Sequence, residues 1–189
     1  MLEGWVVYPL AAALCAAFGL PSARRGRGGF TVAITALFVL YLGWLVGATL
    51  FPVPLDATVR ALEATAKPAV AVDLMPLRGV AAVIGGGAPR TIVWLVGGNV
   101  LVFTPFGFML PIVWRSAGTW RRVTAAGLAL SLAIETTQFG VSLLVGYAYR
   151  VTEIDDITLN VAGVLLGFAL YRLVLPRLKA ERRSAAPGQ

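Results

Sequence analysis

Glu135 stands near the middle of a long apolar run, Val123 to Tyr149, and Gln138 follows it one helical turn later. A carboxylate near the centre of a bilayer costs at least ~2.5 kcal/mol on insertion scales, so a chain keeps one there only if something pairs with it or uses it. Asn99 and Asn160 fall in neighbouring apolar runs, and Arg150, Glu153, Asp155 and Asp156 cluster between two of them. Each type has a chemistry. A carboxylate among amides can work as a general acid or base. Arg150 can hold a phosphate. The oxygens of Glu153, Asp155 and Asp156 are hard ligands for a divalent cation, which could bridge to such a phosphate. Other chemistries are excluded: the chain has no histidine and a single cysteine, Cys15, so His-ligated zinc, His-based catalysis, cysteine metal sites and an internal disulfide are ruled out. No Ser stands in a nucleophile motif. No resident cofactor is expected beyond that cation.

The elements that must position these groups are membrane helices. The 189 residues are 58% hydrophobic and only 13% charged, against about 25% charged in a soluble domain, and mean hydropathy is +0.81. The chain reads as an integral membrane protein. Apolar stretches run from Gly4 to Ala23, Phe30 to Phe51, Thr91 to Trp114, Val123 to Tyr149 and Ile157 to Tyr171. A bilayer core needs about 20 apolar residues per helix. The first four suffice, and a snorkelling Arg172 lets the fifth continue to Leu175. The expected fold is therefore an all-α bundle of five spans. Glu3 precedes the first run and Arg24, Arg25 and Arg27 follow it, the reverse of a secretory signal. Leu14, directly before Cys15, is a poor match to a lipoprotein cleavage site.

Charge orients the bundle. Eleven of the 16 Lys and Arg residues fall on one side of a five-span chain, in the first and third loops and the C-terminal end; Arg60, Lys67, Arg78, Arg90 and Arg150 fall on the other. The positive-inside rule puts the richer side, with the C-terminus, in the cytoplasm and the N-terminus outside. The charge of +7 then reflects topology rather than nucleic-acid binding, with contact between the basic tail and anionic lipid as an addition. Asp56, Glu63, Asp73, Glu153, Asp155 and Asp156 all fall in outer loops. Residues 1–51 thus form two helices with a basic turn, 52–90 an outer loop, 91–175 a three-helix core and 176–189 a basic tail. In the outer loop, Asp56 to Lys67 reads as a surface helix capped by Asp56, whereas Val72 to Ile84 fits a second surface helix or a re-entrant cap equally well.

Spacing places the polar groups on faces. Thr124, Ser131, Glu135, Gln138 and Ser142 recur at helical intervals and make one stripe, which must face protein or water. Asn99, Phe103 and Phe106 share a face, with Pro105 expected to kink their helix. Asp156, Asn160, Gly163 and Gly167 share another, the glycines forming a surface for close helix approach. At 1.5 Å rise per residue, Asn160 lies roughly 5 Å in from the outer boundary, Gln138 about 10 Å, Asn99 about 12 Å and Glu135 about 15 Å. The expectation is that the four meet in an outward-facing cleft whose mouth is Arg150, Glu153, Asp155 and Asp156, with Asp155 or Asp156 capping the fifth helix.

The pattern Asn99-x-x-x-Phe103-x-Pro105-Phe106-Gly107, then Glu135-x-x-Gln138, then Arg150-x-x-Glu153-x-Asp155-Asp156-x-x-x-Asn160-x-x-Gly163 resembles the VanZ-like membrane proteins. Asp73-Leu74-Met75-Pro76-Leu77 resembles that family's Asn-Leu-Ile-Pro-Phe element. The likeness covers about Val72 to Tyr171, with Glu153 where the family commonly has Asp and Asp73 where it commonly has Asn. It implies a multi-pass protein of the bacterial cell membrane, linked to the envelope and to susceptibility to teicoplanin-type glycopeptide antibiotics. A fold of this kind does not itself supply a mechanism.

Two function classes follow. In the first, a noncatalytic protein binds a lipid or lipid-linked envelope precursor at Asn99, Glu135, Gln138, Arg150, Glu153, Asp155, Asp156 and Asn160. In the second, an intramembrane enzyme acts on such a lipid with Glu135 as acid or base; the missing nucleophile-base pairing weighs against it. A small transporter is a third reading, weakened by the lack of an inverted repeat, though an oligomer could supply a pathway. The plain structural alternative stays open for each residue: amides and serines as interhelical glue, the Arg150 cluster as salt bridges that fix the loop.

Overall fold

A computed structural model of the chain describes residues 28–78, 81, 85 and 96–184, with side chains to residue 176. The expected first span, its basic turn and most of 79–95 lie outside the described residues. Five helices make up nearly all of the rest: α1 (Gly29–Leu50), α2 (Ala57–Ala66), α3 (Gly98–Val113), α4 (Trp120–Val145) and α5 (Ile154–Ser184). The only strands among the described residues are β1 (Val72–Asp73) and β2 (Thr152–Glu153), paired in parallel with Val72 opposite Thr152 and Asp73 opposite Glu153. The fold class is all-α.

Three of these helices, Gly29–Leu50, Trp120–Val145 and the Ile154–Pro176 part of α5, are long and apolar enough to cross a membrane; Gly98–Val113 is apolar but shorter. Their apolar residues divide by face. Phe38, Tyr41 and Leu45 of α1 turn inward and join one buried cluster with Phe103, Phe106 and Leu110 of α3 and Val164 and Phe168 of α5. Leu37, Leu40 and Trp44 of the same helix stay exposed, as residues that meet lipid do. Because lipid is as apolar as leucine, such helices are held by close packing and hydrogen bonds rather than by a hydrophobic drive.

The α3–α5 contact shows how close that packing is. A Cβ placed on Gly163 would fall on the Val100 carbonyl oxygen, one on Gly167 on that of Thr104, and one on Gly107 on that of Val164. Backbone meets backbone, as the Gly163/Gly167 spacing predicts. Tyr41 Oη of α1 donates to Val102 O at 2.8 Å, in the turn of α3 where Pro105 deletes a donor.

The described part of the long loop after α1, residues 52–78, docks on the bundle through its backbone. Asp56 caps α2 as predicted, accepting from Thr58 N at 2.9 Å and Val59 N at 3.1 Å, and those donors hold its carboxyl below the ordinary value. Arg60 of α2 donates from Nε to Val145 O at 3.0 Å and from Nη2 to Leu144 O at 3.1 Å. It thereby satisfies carbonyls that the end of α4 leaves open. Of the segment Val72 to Ile84, Val72 and Asp73 form a strand, anchored further by Ala148 N to Pro68 O at 2.8 Å and Thr152 N to Ala71 O at 2.9 Å, while Arg78 and Ala81 are helical and residues 79, 80 and 82–84 lie outside the described residues.

Candidate functional site

The polar stripe of α4 faces protein. Ser131, Glu135, Gln138 and Ser142 are all buried, and three segments close over them. After α4 the chain turns at Gly146, in the left-handed region at φ +88°, where a side chain would be strained. It then carries Tyr147 and Ala148 into the interior, so β2 and the start of α5 sit low against α4. The Glu135 carboxylate lies beside the backbone of Glu153, with Asp156 and Arg150 as its charged neighbours.

This low start of α5 corrects the expected depths. Asn160 does not lie near the outer boundary with Gln138: its Nδ2 donates to Ser131 Oγ at 2.9 Å, and Ser131 is about 6 Å further in along α4 than Glu135. Counting inward from an assumed loop boundary ignored the descent of residues 147–153. Nor do the four central groups bond one another. Asn99 Nδ2 donates to Asp156 Oδ1 at 2.5 Å, joining α3 to α5, while Gln138 Nε2 donates to Thr49 O at 2.8 Å, joining α4 to α1.

The acidic group also separates. Asp155 and Asp156 lie in the first turn of α5, at the positive end of its dipole, but their side chains serve other elements rather than capping it. Asp155, buried, accepts from Leu77 N at 2.5 Å. Leu77 is the one non-glycine among the described residues with positive φ, +62°, an unusual conformation for a leucine that the Asp155 bond holds in place. Arg150 Nη2 donates to Phe51 O at 3.3 Å. Among the described residues the ion pairs are Lys67–Glu63 at 2.6 Å and Arg78–Asp73 at 3.6 Å, so Arg150 forms no salt bridge with Glu153, Asp155 or Asp156. No group of three His, Cys, Asp or Glu side chains among the described residues is arranged to hold a metal ion.

What remains is a cleft of about 520 Å³, lined by Lys67, Gln138, Tyr149, Arg150, Glu153 and Asp156 together with Pro68, Ala71, Ala148 and Val151. Burial and the nearby Asp156, Asp73 and Asp155 carboxylates push the Glu153 carboxyl up from its ordinary value. Behind this wall Glu135 is 4% exposed, and its Oε2 has no hydrogen-bond partner; neither has Asn160 Oδ1. Thr124 Oγ1 is likewise open among the described residues; buried polar atoms are nearly always satisfied, and of the three Glu135 neighbours the cleft residues Glu153 and Asp156. Lys67 and Tyr149 carried no signal as site residues. The parallel register that brings Pro68 and Ala71 beside Arg150 is what recruits them.

The fold and cleft define a helical membrane protein with a ligand-sized recess where its loops meet the helices, lined mainly by residues 67–71 and 148–153 with Gln138 and Asp156. The VanZ/LLP1 family pattern matches residues 38–175, and the chain belongs to that family. Protein VanZ of Enterococcus faecium is 36% identical over 75 residues, 40% of this chain and 42% of that protein, so the match spans less than half of either. No solved structure matches the chain.

Proposed function

We propose that this protein is a noncatalytic lipid-binding member of the family in the bacterial cell membrane, and that its cleft faces outward. There it takes a lipid or lipid-linked envelope precursor and so changes how the surface meets glycopeptide antibiotics of the teicoplanin type. The similarity to Protein VanZ of Enterococcus faecium, 36% identical over 75 residues, suggests the antibiotic link. One observation carries the reading: the unpartnered Oε2 of a buried Glu135, next to a cleft lined by both signs of charge. In this reading residues 91–175 form the binding core and 52–90 its outer cover.

Native mass spectrometry of the purified protein tests it. Wild type should carry a lipid or lipid-linked species whose mass stays constant on incubation, as a binder rather than an enzyme requires. Glu135→Gln keeps volume and hydrogen bonding, so it should fold and insert at normal abundance yet lose that species and the glycopeptide phenotype. If Glu135→Gln matches wild type in both respects while Glu135→Leu lowers abundance, the carboxylate is structural and the reading fails.

A further inference from the structure

Resting on that lipid-binding reading, we infer that the ligand carries a primary ammonium beside a phosphate, as an ethanolamine phospholipid headgroup does, with Glu153 and Asp156 receiving the ammonium and Arg150 the phosphate.

The charges around the cleft are unequally committed. Lys67 is held by Glu63 at 2.6 Å, Asp73 by Arg78 and by Met75 N at 3.0 Å, and Asp155 by Leu77 N. Asp156 receives one donor, from Asn99, which leaves most of its acceptor sites free. Among the described residues Glu153 is in no ion pair. Arg150 is exposed and spends one N–H on Phe51 O at 3.3 Å, leaving further donors of its fork for a ligand. The open groups are thus two carboxylates, one guanidinium and the remaining N–H donors of Lys67, whose charge Glu63 already shares, on the wall of a single recess.

A third carboxylate points the same way independently. Glu135 is buried directly behind Gln138, Glu153 and Asp156, and its Oε2 meets no donor. Carboxylates in excess over free cations disfavour an anionic headgroup. A zwitterion fits both signs. A primary ammonium brings three N–H donors to this set of acceptors, whereas a quaternary ammonium brings the charge without a donor. The recess, at about 520 Å³, lies within the usual range of roughly 300–1,000 Å³ for small-ligand sites.

The test uses the full chain, delipidated in detergent and titrated with short-chain phosphatidylethanolamine, phosphatidylcholine and phosphatidylglycerol by native mass spectrometry. Phosphatidylethanolamine should bind about tenfold more tightly than phosphatidylcholine, the value of one charge-assisted hydrogen bond, and phosphatidylglycerol more weakly than either. Glu153→Gln and Asp156→Asn should each remove most of that preference. Arg150→Gln should weaken both zwitterionic lipids alike, since both carry the phosphate. Asn at 156 still offers an oxygen to Asn99, and Glu153 lies outside the helices, so Glu153→Gln decides the matter if Asp156→Asn unfolds. Phosphatidylglycerol binding as tightly as phosphatidylethanolamine, or a preference that survives Glu153→Gln, overturns the inference and leaves lipid binding standing. Binding of none of the three by wild type overturns the inference, whereas the lipid-binding reading falls only if no lipid or lipid-linked species travels with the purified protein.

Discussion

Gly163→Ala tests whether the α3–α5 contact sets the geometry of the cleft. The added Cβ would fall on Val100 O, with Val100 C and Cα each at 3.0 Å. All three are backbone atoms, which cannot swing aside as a side-chain tip can. Carbon-to-oxygen contacts between packed backbones run at about 3.3–3.6 Å, so α5 must withdraw from α3 by roughly 1 Å. Overpacking of this kind costs about 1–3 kcal/mol, offset by up to ~1 kcal/mol from the better helix propensity of alanine. A net loss of about 1–2 kcal/mol, or roughly 5- to 30-fold in the folding equilibrium, is expected. The same withdrawal parts Asn99, next to Val100, from Asp156, whose 2.5 Å bond crosses this interface. Gly140→Ala in α4 is the control: a Cβ there meets nothing within 4 Å, so only the propensity gain applies. Unfolding both variants in mixed detergent micelles, alongside native mass spectrometry of their bound lipid, gives both readouts. Should Gly163→Ala prove as stable as Gly140→Ala and keep its lipid, the close approach does not position the site.

Two further outcomes are expected. Because Glu153 has its folded-state carboxyl pushed up, its contribution favours the folded state below the ordinary glutamate range and is lost as pH rises from there through the raised value; Glu153→Gln should therefore flatten the pH dependence of the unfolding midpoint over that window, and an unchanged slope would count against the crowding of Glu153 by Asp156, Asp73 and Asp155. For topology, in a Cys15→Ala background, impermeant maleimide applied to intact cells should label a cysteine placed at Ala64 and miss one at Ser116, both exposed positions; the reverse pattern would invert the orientation drawn from the charge split.

Helical periodicity made much of this site readable in the sequence. The stripe from Ser131 to Ser142 is buried because a polar face on a membrane helix has nowhere else to go. Gly163 and Gly167 meet backbone because their spacing leaves a groove where a carbonyl row can enter. Residue types gave no warning of partners that are backbone atoms: Thr49 O for Gln138, Val145 O for Arg60, and Leu77 N for Asp155. Two-residue strands such as β1 and β2 are too short to show an alternating pattern. The depth of Asn160 failed for a related reason, since nothing in Gly146 to Glu153 says that the loop descends beside α4 before α5 begins.

The disposition of donors around Glu135 bears on whether that residue is glue. A buried carboxylate kept for packing alone should have its oxygens closed by the nearest amides, because each open acceptor in a dry interior costs about 1–3 kcal/mol. Gln138 lies one turn away on the same face, yet its amide reaches across to Thr49 O. Asn99 spends its amide on Asp156, and Asn160 spends its own on Ser131. Each of the three amides directs an N–H to holding one helix to another, and none of them bonds the Glu135 carboxylate. The bundle thus fixes its frame with the amides and leaves Glu135 Oε2 open among the described residues, an arrangement that costs stability and that a donor arriving from outside the chain would relieve.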